Sequence, residues 1–370
     1  MAFSALKKWK GYRMQPCGTF NTSYRQDMVL VRTPLQWGML IGFFVFLVLL
    51  PVITPIKLGK LQLGLIFFIF TGINIITLHG LNIVMGFAGQ LSLGQSAFMA
   101  VGAFAVSNLV VKLNVPFIVA LPLGGLIAAF VGMVFGTPSL RIKGLYLLMA
   151  TVAAHFIIAF TIIRLPAIGG TLGLIVSPPS IFGFELNTDT RYYYIVMMVT
   201  IIMTILAINL TRGSVGRAFM AIRDDEVAAR VMGINTFVYK ALAFGISAFF
   251  AGIAGALLAF YLGMATVDHF TLIHAIWLMG MLAVGGMAST RGVIFGSIFF
   301  NIIDTVTTIV GPIIQSALPF FGHEHVAGIA MALWALVIII FLIFEPRGIN
   351  HRWETIKASY RLHPFSYTRE

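Results

Sequence analysis

The chain has 370 residues, 59% apolar and 10% charged, with a mean hydropathy of +0.98. Soluble domains carry about 25% charge, so a cytosolic enzyme, a disordered tail and a nucleic-acid-binding domain are excluded. The net charge of +12, from 24 Lys+Arg against 12 Asp+Glu, then reads as cations kept in cytoplasmic loops, not as a nucleic-acid footprint.

Residues 1–37 are expected to form a basic cytoplasmic tail. Lys7, Lys8, Lys10, Arg13, Arg25 and Arg32 lie there, and no apolar run precedes a small-residue cleavage site, so no cleavable signal peptide is predicted. Phe3, Leu6 and Trp9 recur at helical spacing among the lysines, as a helix lying on the inner leaflet or as part of a loose tail. Cys17 is the single cysteine, so no intramolecular disulfide forms, and it reads as an inert thiol.

Ten apolar runs follow, near 38–56, 62–86, 96–111, 117–136, 145–163, 192–210, 241–262, 273–289, 293–311 and 326–344. Each can supply a helix of about 20 residues, the length a bilayer core demands. The predicted fold is all-α, a polytopic transmembrane bundle of about ten spans occupying 38–345. A second basic tail, 346–370, returns to the cytoplasm. With both termini inside, 19 of the 24 cations face the cytoplasm, which is the positive-inside bias. Lys57 and Lys60, in a short outer loop, run against it. Rows of small residues at Gly132 and Gly136, at Gly292 and Gly296, and at Ala248, Gly252 and Ala256 predict close helix packing. No repeat of 20–50 residues is visible.

Polar residues inside apolar runs are the candidate functional groups. Residues 86–95 mix three glycines with Gln90, Ser92 and Gln95, a composition that an uninterrupted lipid-facing helix does not use. Irregular backbone at membrane depth must be covered by protein or line a water-filled cavity. The segment is therefore either broken or re-entrant beside a translocation pathway, or a cytoplasmic turn. Asn74, His79, Asn82, His155, Asn301 and Asp304 are the other buried polar candidates. Asn301 and Asp304, three apart on one helix, can satisfy each other or a neighbouring helix. The candidate pathway set is Asn82, Gly89, Gln90, Ser92, Gln95 and His155.

The longest inner connection is 211–240. Within it, 224–232 predicts a short helix. Asp224, Asp225 and Glu226 stand at its start, Glu226 and Arg230 pair at i,i+4, and Gly233 follows as a stop. Val227, Ala228, Val231 and Met232 give it apolar surface outside the membrane. Nine residues make a marginal helix alone, so it is a solvated or membrane-surface turn or a plug for a cytoplasmic partner.

The Glu226, Ala228–Ala229, Gly233 pattern resembles the coupling motif of ABC importer permeases. The wider stretch 216–235, Gly-Arg-Ala-Phe-Met-Ala-Ile-Arg-Asp-Asp-Glu-Val-Ala-Ala-Arg-Val-Met-Gly-Ile-Asn, is similar to permeases of the branched-chain amino acid ABC transporter family. So are Leu81–Asn82 with 86–98, Arg141–Tyr146, Gly169–Leu174, Tyr239–Phe244 and Gly285–Gly292. The resemblance spans about residues 65–350, and the chain resembles the longer of the two paired permeases. Thr151–His155 and Glu345–Ile349 depart from the family pattern.

The resemblance implies an ATP-driven importer of branched-chain or related amino acids in the bacterial inner membrane. Arg217, Arg223, Asp224, Asp225, Glu226, Ala228, Ala229, Arg230 and Gly233 would couple to the ATPase. It implies a second, dissimilar permease, two cytoplasmic ATPase subunits and an extracytoplasmic solute-binding protein as partners, with ATP and Mg held by the ATPases and no cofactor in this chain. A permease for urea or short-chain amides is the alternative within the family. A proton-coupled secondary transporter using Asp304 or His155 is a second class, and an intramembrane enzyme a third. Neither finds paired intramembrane carboxylates, and no catalytic constellation is present. His323, Glu324 and His325 are too few for a zinc site, and Gly280–Gly286 lacks the Lys and Ser/Thr of a phosphate loop.

Overall fold

The computed structural model describes residues 34–53, 64–140, 142, 144–181, 184–185, 188–317, 332, 335–341, 343–345 and 347–362. Outside these fall most of the basic N-terminal tail with Cys17, Lys57 and Lys60, Arg141 and Lys143, the His323–His325 cluster, residues 326–331, 333–334 and 342 of the run 326–344, and residues 363–370. The chain divides into two units, Met1–Leu65 and Ile66–Glu370. In the first, helix α1 (Pro34–Ile53) is described.

The second unit is helical. Helix α2 (Leu65–Leu81) runs into a π-helical turn over Asn82–Phe87. Next come α3 (Gln95–Leu113), α4 (Phe117–Gly136) and α5 (Leu145–Arg164). Three two-residue strands follow, β1 (Leu174–Ile175), β2 (Ser180–Ile181) and β3 (Phe184–Glu185). Then come α6 (Asp189–Arg212), α7 (Ser214–Asp224), α8 (Glu226–Val231) and α9 (Thr236–Leu262). Strand β4 (Met264–Ala265), α10 (Leu272–Gly285), α11 (Thr290–Ala317) and α12 (Ile349–Leu362) complete the order. β1 pairs antiparallel with β4, and β2 with β3.

Among the described residues, seven helices are long and apolar enough to cross a membrane. They are α2 with its π turn, α3, α4, α5, α6, α9 and 267–285. The helical bundle stands as expected, but the count of ten spans is not confirmed. Of the run 326–344, only 332, 335–341 and 343–344 are described, all as helix.

The centre of this unit is α9, packed against α3 and α4. Side chains cannot sit between helices this close. A Cβ on Gly102 of α3 would fall on the Gly252 backbone of α9, and one on Gly132 of α4 would fall on the Ala248 side chain. Gly255 abuts the Met99 carbonyl in the same way. The expected rows therefore do pack: Gly132 and Gly136 meet Ala248 and Phe244, while Gly296 meets the Met281 carbonyl of α10. In lipid such close approach is the main source of helix association. On the outward faces of α4 and α5, Leu126, Phe130, Met149 and Phe160 are exposed, as lipid-facing positions require.

A Gly102→Val substitution should force α3 from α9 and cost about 3 kcal/mol or more, since backbone cannot yield as a side chain does. Thermal unfolding in detergent measures this. Gly42→Val in α1, where nothing lies within 4 Å of the added Cβ, should leave the melting temperature unchanged.

Candidate functional site

The inner connection is more helical than the sequence suggests. α6 continues to Arg212 and α9 begins at Thr236, so 211–240 holds α7, α8 and short joints. The predicted helix 224–232 is corrected to Glu226–Val231. Asp224 ends α7 instead of opening α8. The reason is Asp225, which adopts extended backbone (φ −154°, ψ 111°) and caps the next helix. Its Oδ1 accepts from the Val227 and Ala228 amides at 2.8 and 3.1 Å. An aspartate with its side chain on the backbone amides starts a helix and ends the preceding one.

The far end of α8 closes as a Schellman motif. The Gly233 amide donates to the Arg230 carbonyl and the Ile234 amide to the Ala229 carbonyl, both at 3.0 Å. Gly233 takes φ +84°, the left-handed conformation that this closure needs and that glycine adopts without cost.

Glu226 is turned inward. Its carboxylate accepts Arg230 at 2.6 Å and Lys240 Nζ at 3.0 Å. Lys240, on α9, is 2% exposed. Arg230 also donates to Thr236 Oγ1 at 3.0 Å. The ion cluster thus seats α8 on the start of α9. Beside it lies a cleft of about 400 Å³ lined by Glu226, Arg230, Gly233–Phe237 and Lys240. Ala229 is buried beneath α8, while Val227, Val231 and Met232 stand 68–82% exposed. Ala228 is exposed as well, and so is Arg217 on α7. Lys240, 14 residues from Glu226, is the partner that the spacing of the predicted helix does not reveal.

The segment 86–95 is an irregular connection covered by protein. The π turn carries α2 to Phe87, irregular backbone covers 88–94, and α3 starts at Gln95. Gln90, Ser92 and Gln95 are buried, and only Gly89 of this stretch is exposed. Gln95 donates to the Thr77 carbonyl at 3.0 Å and accepts from Ser247 Oγ of α9 at 2.8 Å. α3 therefore begins level with a point on α2 more than one turn before Asn82. Leu93 N donates to Thr151 Oγ1 on α5 at 3.0 Å, and Ser92 Oγ accepts from Gly94 N at 3.3 Å. Gln90 Nε2 donates to the Ala88 carbonyl. Asn82 accepts from Ala288 N at 2.8 Å and donates to Ser289 O at 3.3 Å, in the turn between α10 and α11.

Arg223 brings the two regions together. Its Nη1 donates to the Gly86 carbonyl at 3.0 Å, and its stem lies against Gly89. Its Nε and Nη2 both meet Asp224 Oδ1 at 3.0 Å. Nothing in the local pattern signals a contact across 137 residues.

Among the other polar candidates, His79 Nε2 lies 3.2 Å from Thr204 Oγ1 of α6. His155 is buried, with Nδ1 unpartnered among the described residues. Asn301 meets α2, donating to Thr71 Oγ1 at 3.0 Å and accepting from Asn74 at 3.4 Å. Asp304 is exposed. No group of three His, Cys, Asp or Glu able to hold a metal occurs among the described residues. A second cleft, about 720 Å³ between α3, α4 and α5, contains none of the candidate pathway residues.

These features define a polytopic α-helical permease, a multi-pass protein of the inner membrane. Residues 63–346 match the family described as branched-chain amino acid transport system / permease component. The chain belongs to that family. It is 32% identical to the high-affinity branched-chain amino acid transport system permease protein LivM of Escherichia coli, over 83% of this chain and 74% of that one. It is 31% identical to the LivM of Salmonella typhimurium, over 75% and 68%. The autoinducer 2 import system permease protein LsrC of Yersinia enterocolitica is 27% identical, over 60% and 65%. These relatives are transport permease proteins, not enzymes.

Removing Glu226 while Lys240 stays buried should cost about 3–5 kcal/mol locally. Hydrogen exchange of the α8 amides in Glu226→Ala should accelerate by at least about a hundredfold. The double variant Glu226→Met, Lys240→Met should recover most of that protection, because it leaves no uncompensated charge.

Proposed function

We propose that this chain is the permease subunit of an ATP-driven importer of branched-chain or related amino acids, and that α8 is its coupling element. The observation that carries this is the build of α8. It is capped at both ends and held on α9 by ions, yet it presents Val227, Val231 and Met232 outward. A six-residue helix has no intrinsic stability to speak of. One that is fixed and apolar on its outer side is prepared for a surface that covers it.

In this reading two cytoplasmic ATPase subunits hold ATP and Mg and receive α8, while a second permease completes the pathway. An extracytoplasmic solute-binding protein delivers the amino acid. Val227, Ala228, Val231 and Met232 make the contact. Glu226, Asp225, Arg230 and Gly233 hold the helix in shape. Asn82, Gly89, Gln90, Ser92 and Gln95 belong to the segment whose movement opens the path, and His155 lies on the neighbouring α5. The branched-chain assignment follows the two LivM relatives. Urea, short amides and autoinducer 2 are the competing solutes.

Two experiments test this reading. Val231→Glu should lower affinity for the ATPase subunits by about 2 kcal/mol, roughly thirtyfold, measured by co-purification at graded subunit concentration. Unchanged recovery removes α8 from the interface. Gly233→Val should strain the Schellman closure by about 1–2 kcal/mol and lower labelled leucine uptake by the assembled transporter, while Gly233→Asn retains it. Uptake of urea or autoinducer 2 in place of leucine would reassign the solute.

A further inference from the structure

We propose that Arg223 is a strut that carries movement of α8 into the membrane-spanning part, by holding the irregular segment 86–94 from within the chain. Arg223 is partly exposed, and its guanidinium is engaged within the chain. The inference rests on the coupling reading of α8 and assigns its intramolecular receiver.

The break in α2 creates the acceptor that Arg223 uses. In a regular helix the Gly86 carbonyl would accept from the Gln90 amide. Here the Gln90 amide turns back to the Val84 carbonyl at 2.9 Å. The carbonyl of Gly86 is released, and the Arg223 guanidinium donates to it at 3.0 Å. The guanidinium Nε and Nη2 both donate to Asp224 Oδ1, which orients the fork.

Packing closes the same contact. Gly89 has φ +66°, and a Cβ there would stand 2.7 Å from Arg223 Cγ and 3.2 Å from Arg223 Cβ. Glycine supplies both the left-handed backbone and the space. The arginine stem therefore lies directly on the backbone of the segment.

The connection to α8 is short. Asp225 alone separates Asp224, the last residue of α7, from Glu226, the first of α8. α7 is itself seated through buried Gly216, Ala218, Phe219 and Ile222. A displacement of α8 therefore acts on Arg223 through a one-residue joint. From Arg223 it reaches Gly86 and Gly89. On its other side the segment is held by Asn82, through Ala288 and Ser289.

The test uses the assembled transporter in proteoliposomes with labelled leucine as probe, comparing wild type with Arg223→Ala. The variant should co-purify with the ATPase subunits as wild type does and hydrolyse ATP. Its uptake per ATP should fall by about tenfold or more. Uptake per ATP within about twofold of wild type would overturn the strut. Loss of ATPase co-purification in Arg223→Ala alone would overturn it too, by placing Arg223 in the subunit interface. If wild type itself fails to retain the ATPase subunits, the coupling reading fails instead. A second measurement needs neither solute nor ATPase. In a Cys17→Ser background, Gly89→Cys with Arg223→Cys in isolated membranes should form a disulfide when a thiol oxidant such as copper phenanthroline is added, since a Cβ at Gly89 stands 3.2 Å from that of Arg223. Absence of that cross-link in the folded protein would overturn the contact.

Discussion

In hydrocarbon two helices gain little from hiding apolar surface from each other, because lipid is as apolar as they are. They stay together only where their backbones approach closely enough for dispersion and polar contacts to accumulate. In this chain that happens where Gly102 and Met99 of α3 meet Gly252 and Gly255 of α9. The rest of the helical unit depends on that contact. It sets α3 against α9 within reach of Gln95 and Ser247, whose side chains then bond at 2.8 Å. Gln95 in turn fixes the level at which the chain re-enters helix after the break. The position of the irregular segment is thus a consequence of helix packing one turn and more away.

A second polar line joins α2 to α11. Thr71, Asn74, Ser297 and Asn301 form it. Each such interhelical bond contributes only about 0.6 to 2 kcal/mol. Their arrangement matters more than their strength, because they hold α2 on the side away from the break. The π turn then begins at Asn82, whose amide is taken by the turn 288–289. The chain leaves helical geometry at the point where an outside partner is available for the freed groups.

Local features were legible in the sequence and distant partnerships were not. The glycine rows at 132 and 136 and at 252 point to packing by their spacing, since small residues four apart line one face of a membrane helix. The left-handed stop at Gly233 was equally plain. Asp224, Asp225 and Glu226 look alike as a run, and nothing local divides them between two helices. The division is made by Asp225 alone, whose carboxylate closes on the amides ahead of it. Glu226 announces Arg230 by its i,i+4 spacing but is silent about Lys240, which reaches it across the turn between α8 and α9. Arg223 carries no hint of Gly86, since sequence periodicity reports faces of one helix and not which other backbone lies open nearby.

The arrangement of the scarce acids completes the physical account of α8. Asp225 supplies the cap, Glu226 the ion pair to α9, and Asp224 the orientation of Arg223. Each removes a freedom that a six-residue helix would otherwise keep. An element ordered in advance does not lose that entropy again when something binds it, so a modest apolar surface such as Val227, Val231 and Met232 can suffice for docking. On the proposed coupling role, order also governs what a docked surface can transmit. A flexible turn would absorb a displacement at its own joints. A capped helix that continues through one residue into a buried one must move its neighbour, and the neighbour's last arginine rests on the broken end of α2.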